Sequence, residues 1–185
     1  DNRSFNYIKI DSCIFGDDGK GNEAKLGGAI YVHGKEENST LMVSRVEIYG
    51  TTITGNGEGT DKGSYGGGVY IENSTVTFAS NGDSKNNILS NNKAENGGAI
   101  AFKCATATKQ MEDDGSLTIS NGTEFKSNIA TNGGALHIES GNVEVISGVF
   151  GYGDSKDVNY RYKNNNVDFN TANILEADAN EIQND

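Results

Sequence analysis

Two cysteines and two histidines are the side chains of this sequence best suited to bind a transition metal or to form a disulfide. Neither Cys13 nor Cys104 belongs to a Cys-x-x-Cys pair, and only His33 and His137 could complete a metal site. Structural zinc needs closely spaced Cys and His ligands, so we expect no zinc and no other cofactor. A disulfide requires Cα atoms within about 7 Å, which the sequence does not establish. Two separate buried thiols are the favoured interpretation, with a disulfide as the alternative.

Clustered carboxylates could bind calcium through oxygen ligands. The densest cluster is Glu112-Asp113-Asp114, and Asp17-Asp18 is a smaller one. Neither is followed by the spaced oxygen ligands of an EF-hand loop. We therefore interpret both as solvated loops and expect no metal site.

Polysaccharide cleavage is the enzymatic chemistry to weigh. A glycosidase needs two carboxylates roughly 5–9.5 Å apart, and a lyase needs a base, commonly Arg, near calcium-binding acids. The three arginines, Arg3, Arg45 and Arg161, lie in different repeats. Glu47 and Glu124 each precede an apolar residue, as solvent-exposed positions of an alternating strand do. We therefore predict no catalytic residues and no enzyme, with a polysaccharide lyase or hydrolase as the alternative.

Composition excludes several partners. The chain has a net charge of −11, 25 Gly and no Pro. Nucleic acid requires a basic face, and an anionic membrane surface also attracts basic proteins, so we expect neither partner. No apolar run approaches the roughly 20 residues of a membrane span, and no charged-then-apolar signal segment opens the chain. Gly and Asn disfavour helices.

Internal repeats give the elements that position these residues. A Gly-Gly-(Ala/Gly)-aliphatic motif starts at Gly27, Gly66, Gly97 and Gly133 and runs each time into alternating strand. Period two places Ile30 with Val32 on one face, and Tyr31 on the other. The strands that follow after polar turns are predicted at Leu41-Met42-Val43, Val76-Thr77-Phe78, Leu117-Thr118-Ile119 and Val143-Glu144-Val145.

A third element closes each repeat with an apolar residue, two others and Asn. Its copies are Ile53–Asn56, Ile88–Asn91 and Phe125–Asn128, with Phe15–Asp18 and Tyr162–Asn165 as looser versions. We interpret the uneven spacing as loops inserted at Gly57–Ser64, Gly82–Asn87, Thr106–Gly115 and Gly153–Tyr160.

Three short strands in each 30–40-residue repeat cannot bury their own apolar face, and stacking successive repeats covers it. The sequence therefore predicts a parallel β-helix with strands about 4.8 Å apart. Ile, Val, Leu and Phe should stack in internal columns, Asn side chains should form amide ladders, and the paired glycines should supply φ > 0 or a tight corner.

The opposite strand face carries Tyr31, Tyr70, Ala101 and His137 in one predicted column. Such a column could contact a sugar or a protein. Cross-strand stacking that stabilises the sheet is the favoured interpretation.

Gly-Gly-Ala-Ile paired with Phe-x-x-Asn resembles the repeat of the chlamydial polymorphic outer membrane proteins. Both motifs stand in full form at Gly97–Ile100 and Phe125–Asn128, and the resemblance covers about residues 15 to 165. It implies a right-handed β-helix in a surface-exposed, autotransporter-like passenger with a role in adhesion to host cells. The chain departs from the family pattern with Ile in two Phe-x-x-Asn copies and Asp18 in place of Asn.

We therefore expect an all-β chain, a right-handed parallel β-helix (solenoid) of about five coils of three short strands. Residues 1–170 would form a segment of a longer solenoid, and 171–185 a C-terminal tail or cap. The expected function is a non-enzymatic segment of a cell-surface adhesin that displays loops, with a purely structural surface stalk as a further alternative. Expected partners are a host cell-surface protein or glycan, and a second copy through the coil ends; nucleic acid and direct membrane insertion are excluded. The expected location is the cell surface (outer membrane) or the secreted fraction.

Overall fold

All regular structure in the described part of the chain is β. The computed structural model describes residues 6–17, 20–37, 40–42, 44–57, 62–80, 82, 85–104, 115–120, 122–151 and 170–172. Within these ranges there is no helix long and apolar enough to cross a lipid bilayer. The strands, in chain order, are β1 Asn6–Asp11, β2 Ile14–Phe15, β3 Ile30–His33, β4 Lys35–Glu37, β5 Thr40–Met42, β6 Ser44–Tyr49, β7 Thr52–Thr54, β8 Val69–Glu72, β9 Thr75–Ala79, β10 Asn87–Ser90, β11 Lys93–Asn96, β12 Ile100–Lys103, β13 Ser116–Ile119, β14 Thr123–Lys126, β15 Asn128–Asn132, β16 Leu136–Ser140, β17 Asn142–Val145, β18 Val149–Phe150 and β19 Asn170–Ala172.

Four parallel sheets are built by successive repeats. Sheet A has the order β1-β6-β9-β13-β17, sheet B β2-β7-β10-β14-β18, sheet C β11-β15-β19 and sheet D β3-β8-β12-β16. In the third and fourth repeats the chain visits them in the order A, B, C, D. In the first two repeats it passes from sheet B to sheet D, and only the bridges of Leu26 and Tyr65 lie in line with sheet C. The prediction of an all-β chain is confirmed, with parallel strands in stacked sheets. Sheet C is a fourth element beyond the three strands per repeat that the sequence indicates.

The predicted internal columns are present. Ile100 pairs in register with Val69 and Leu136, and Val69 pairs with Ile30. A neighbouring column in sheet A runs through Val46, Val76 and Leu117. These side chains belong to one continuous core, which also contains the fully buried Phe78, Phe102 and Phe125. Each buried aliphatic or aromatic side chain contributes about 1.5–3 kcal/mol, so the stacked columns are the main source of stability.

The paired glycines form the corner that leads into sheet D, as predicted. The first glycine of each motif has a left-handed backbone, with φ between 60° at Gly27 and 68° at Gly97. The second glycine lies against the next repeat, because a Cβ on Gly67 would stand 2.4 Å from the Gly98 carbonyl oxygen. Only a residue without a Cβ fits either position.

The predicted Asn ladder is confirmed. The Asn56 backbone N–H and Nδ2 both donate to Asn92 Oδ1, at 3.0 and 3.1 Å. Asn92 donates in the same way to Asn128 Oδ1 at 3.1 and 3.0 Å, and Asn22 to Asn56 Oδ1 at 3.0 and 2.9 Å. Asn22 therefore joins the ladder, while Asp18 of the predicted first motif lies outside the described residues. The amides of Asn56, Asn92 and Asn128 tie one repeat to the next where water is excluded, whereas Asn22 at the first rung is exposed.

In the third repeat, the motif predicted at Ile88–Asn91 is wrong by one residue. Leu89, not Ile88, pairs with Ile53 and Phe125 in the core column, and Asn92, not Asn91, carries the ladder amide. Asn91 has a left-handed backbone with φ 55°, as do Gly55 and Ser127 in the flanking repeats. The motif therefore reads Leu89-Ser90-Asn91-Asn92.

The second strand predicted for the first repeat is also wrong. Leu41 and Met42 belong to β5, which pairs antiparallel with β4 as a separate hairpin. The strand that joins sheet A is β6, where Val46 and Ile48 pair with Val76 and Phe78. The hairpin is thus an insertion between sheets D and A.

Several predictions fall outside the described residues. They are the loose motif at Tyr162–Asn165, most of the four predicted loops and residues 173–185. The last described strand of sheet B is β18, whose Phe150 pairs with Phe125 at 4.6 Å between ring centroids. Strand β19 pairs with β15 of sheet C.

Candidate functional site: an aromatic and charged face on sheet D

The outward face of sheet D gathers the aromatic column that the sequence predicts. Alternation turns Ile30 and Val32 toward the core, so Tyr31 and His33 project from the other side. The parallel register then aligns Tyr31 with Tyr70, Tyr70 with Ala101, and Ala101 with His137. We call this surface the tyrosine face; it comprises Tyr31, His33, Tyr65, Tyr70, Glu72, Lys103, His137 and Glu139.

Ring stacking dominates the inner part of the tyrosine face. Tyr31 and Tyr70 are stacked, with centroids 5.3 Å apart and planes inclined by 14°. Tyr70 is only 5% exposed, whereas Tyr31 is 44% exposed. The stacking interpretation is therefore confirmed for this pair, and Tyr31 offers the accessible ring.

Tyr65 is a residue of this face that sequence reasoning missed. Its ring contacts Tyr70 at 5.6 Å and His137 at 6.4 Å, the two rings on either side of Ala101 in the register. Bridges to Leu26 and Asn96 hold its backbone in line with sheet C. The sequence could have indicated this alignment, because Leu26, Tyr65 and Asn96 each directly precede a Gly-Gly pair.

A row of charges borders the rings. His33 pairs in register with Glu72, and Glu72 with Lys103. Glu72 Oε2 accepts a 2.7 Å hydrogen bond from the Tyr31 hydroxyl and lies 3.0 Å from His33 Nδ1. Lys103 Nζ donates to Glu139 Oε1 at 2.6 Å. The face thus combines an accessible ring with anionic and cationic groups within one small surface.

Burial and the Glu72 carboxylate together raise the pKa of the Tyr31 phenol. Partial burial, then the hydrogen bond and charge of Glu72, raise the pKa of Tyr31 to about 12. Burial likewise raises the pKa of Tyr70. The hydrogen bond to Glu139 raises the pKa of Lys103, so this amine stays charged at neutral pH.

We expect Glu72→Gln to lower the pKa of Tyr31 toward, but not to, the ordinary value of 10. The charge that opposes phenolate formation disappears, while the burial remains. Because the folded pKa lies above the unfolded one, Tyr31 stabilises the fold fully below pH 10 and loses this contribution as the pH rises toward 12. In the variant this contribution to stability should be smaller, and its loss should be complete at a lower pH than in the parent chain. Ring-carbon NMR of labelled tyrosine, assigned with Tyr31→Phe, measures the titration.

Glu139→Gln on the same face is the matched control, since Glu139 does not contact Tyr31. Its Tyr31 titration should match that of the parent chain. An unchanged Tyr31 pKa in Glu72→Gln would show that the carboxylate has no influence on this ring.

The other residues singled out in the sequence are not brought together. Both cysteines are thiols; Cys104 lies in the core, whereas Cys13 is only half-buried and donates to the Asp11 carbonyl at 3.3 Å. The prediction of two separate thiols is confirmed, but Cys13 is not buried as expected, because it lies in the first repeat at the end of the stack.

The two glutamates weighed for catalysis have structural partners. Glu47 accepts hydrogen bonds from Tyr7 and Tyr49 at 2.7 and 2.8 Å, and these bonds lower its pKa. Glu124 contacts Lys126 and Asn86 at 2.5 Å each. The two glutamates therefore belong to separate polar clusters, on sheets A and B.

The described residues contain neither a metal-binding cluster nor a pair of facing carboxylates on parallel strands. No group of three or more His, Cys, Asp or Glu residues among them could hold a metal ion. In their parallel strand pairs no carboxylate stands opposite another. Arg45 lies exposed on β6, while Arg3, Arg161 and the Glu112–Asp114 cluster fall outside the described residues.

Comparison with protein-family models, with curated proteins and with solved structures gave no match to this chain. Its function is therefore inferred from its residues and their geometry. The tyrosine face is the part of that geometry with groups suited to bind another molecule.

Proposed function

We propose that this chain is a non-enzymatic segment of a cell-surface adhesin, built as a right-handed parallel β-helix of about five coils. The parallel stacking of strands from successive repeats in four sheets supports the coil architecture. The resemblance of the Gly-Gly-Ala-Ile and Phe-x-x-Asn motifs to the polymorphic outer membrane protein repeat supports the right hand and the surface location. Its partner is a host protein or glycan.

The residues of the repeat motifs are occupied by contacts between repeats, which supports a binding role for residues outside the motifs. Gly67 and Asn92, like their counterparts in other repeats, are fully used in holding one repeat on the next. Ligand recognition must then use outward side chains and inserted segments, which a rigid stack presents in fixed positions. The hairpin of β4 and β5 is one such insertion.

The observation that carries the proposal is the composition of the tyrosine face. Tyr31 offers a half-exposed ring beside the Glu72 carboxylate, and the Lys103–Glu139 pair lies on the same sheet. Tyrosine provides a large contact area at low entropic cost and is enriched in binding hot spots. A rigid aromatic surface beside carboxylate and ammonium groups suits contact with a sugar ring or a protein side chain.

We expect the double variant Tyr31→Ala/Glu72→Gln to bind host cells at least about tenfold more weakly than the parent chain, a loss of about 1.4 kcal/mol or more of binding free energy. Fluorescently labelled chain titrated onto cells measures the affinity. Tyr7→Ala is the matched control, because Tyr7 is also an exposed tyrosine bonded to a glutamate, but on sheet A.

Three results would contradict this proposal. Equal loss of binding in the Tyr7 control would place the contact elsewhere or make it nonspecific. Absence of any cell binding by the folded parent chain would favour a structural stalk. Release of fragments from a polysaccharide would favour the enzymatic alternative.

A further inference from the structure

The first and last described strands of sheets A and B carry complementary edges. The outermost described strands of sheet A are β1 and β17, and those of sheet B are β2 and β18. Both ends expose apolar side chains: Ile8 is 51% exposed at one end and Val145 is 39% exposed at the other. Edge strands of this kind are templates for further strand pairing.

Register makes the two edges compatible with each other. One core column of sheet A begins at Ile8 and ends at Val143, through Val46, Val76 and Leu117. The core column of sheet B begins at Phe15 and ends at Phe150. Strands β1 and β2 of another copy, placed on β17 and β18 in the same register, would therefore continue both apolar columns.

Charge is complementary at the same contact. The outward column of sheet A runs Lys9, Glu47, Thr77, Thr118, Glu144. Continuing the stack would place Lys9 directly beside Glu144 of the next copy. Opposite charges in directly facing positions stabilise a strand pair.

We propose that the chain associates head to tail with further copies of itself, with β1 and β2 of one copy docked in parallel on β17 and β18 of another. Every pairing between repeats in the described residues is parallel, whereas a two-fold dimer through one end would pair a strand antiparallel with itself. A head-to-tail contact does not close, so it produces a series of oligomers rather than a single dimer. This inference is independent of the adhesin proposal.

Sedimentation velocity of the full chain over a range of concentrations tests the proposal. The expected result is a series of dimers, trimers and longer species whose proportion rises with concentration. K9E and E144K should each lower the association constant at least about tenfold, because each places like charges at the contact. An equimolar mixture of the two variants should associate again, since every mixed contact then brings opposite charges together.

The mixture makes the result independent of any folding defect, because restored association requires both variants to be folded. The matched control is K93E, a charge reversal of an exposed lysine on β11 in the third repeat, which should associate like the parent chain. A monomer at the highest soluble concentration, a closed dimer, or a mixture no more associated than its components would overturn the proposal. None of these outcomes depends on whether the chain binds cells.

Discussion

The Gly67→Ala variant should lose about 4 kcal/mol of unfolding free energy, measured by urea denaturation followed by circular dichroism. The added methyl would lie 2.4 Å from the Gly98 carbonyl oxygen and 2.5 Å from the Lys93 nitrogen. Both are backbone atoms of the next repeat, so neither can move aside as a side chain does. Relief requires the corner to open, and this breaks the 3.0 Å hydrogen bond from Gly67 N–H to the Gly97 carbonyl.

Gly63→Ala separates this steric effect from the general cost of replacing glycine. Gly63 has φ +86° and nothing within 4 Å of an added Cβ, so alanine there meets only left-handed backbone strain of about 1–2 kcal/mol. A loss in Gly67→Ala no larger than that in Gly63→Ala would show that the repeats are not held at the closest approach that the structure gives.

Much of the stacking could be predicted from the sequence because the Gly-Gly signal is strict. A position that excludes any Cβ admits one residue type, so Gly27, Gly66, Gly97 and Gly133 align without ambiguity. Each strand starts at the aliphatic residue that ends the motif, which fixes the register of Ile30, Val69, Ile100 and Leu136. The same reasoning located the Tyr31 and Tyr70 column of the tyrosine face.

Register errors arose where the sequence offers two equivalent matches. Ile88 and Leu89 are both aliphatic, and Asn91 and Asn92 are both Asn, so the motif fits at either position. The physical discriminator is the left-handed residue before the ladder Asn, a place held by Gly55 and Ser127 in the flanking repeats. In the first repeat, the polar turn before Leu41 favoured that residue, but the inserted hairpin places the sheet A strand at Val46 and Ile48.

Sheet C and Tyr65 could not be predicted from apolar periodicity. The strand β11 reads Lys-Ala-Glu-Asn, and Ala94 is its buried apolar side chain. Such a strand exists because its backbone pairs with the neighbouring repeats, which is a property of the stack. Tyr65 contacts Tyr70 of its own repeat and His137 of another, so its role also depends on tertiary alignment.

Asn92→Ala should destabilise the chain by about 4 kcal/mol, an effect comparable with that at the glycine corner. The Asn92 side chain is fully buried; its Oδ1 accepts from the Asn56 N–H and Nδ2, and its Nδ2 donates to the Ile53 carbonyl at 3.0 Å and to Asn128 Oδ1. Alanine leaves these buried groups without the ladder partner, and each such group costs about 1–3 kcal/mol. Urea denaturation measures the loss, and amide hydrogen exchange should locate it at the Asn56 N–H.

Asn91→Gly is the matched control and also decides the register of the motif. Asn91 is exposed and left-handed, and Gly55 has the same role in the preceding repeat, with φ 69°. Glycine adopts this backbone without strain, so the control should change stability by no more than about 1 kcal/mol. If Asn91→Gly destabilised the chain more than Asn92→Ala, the ladder amide would belong to Asn91. The whole B-to-C corner of the third repeat would then be shifted by one residue, and Leu89 would leave the core column.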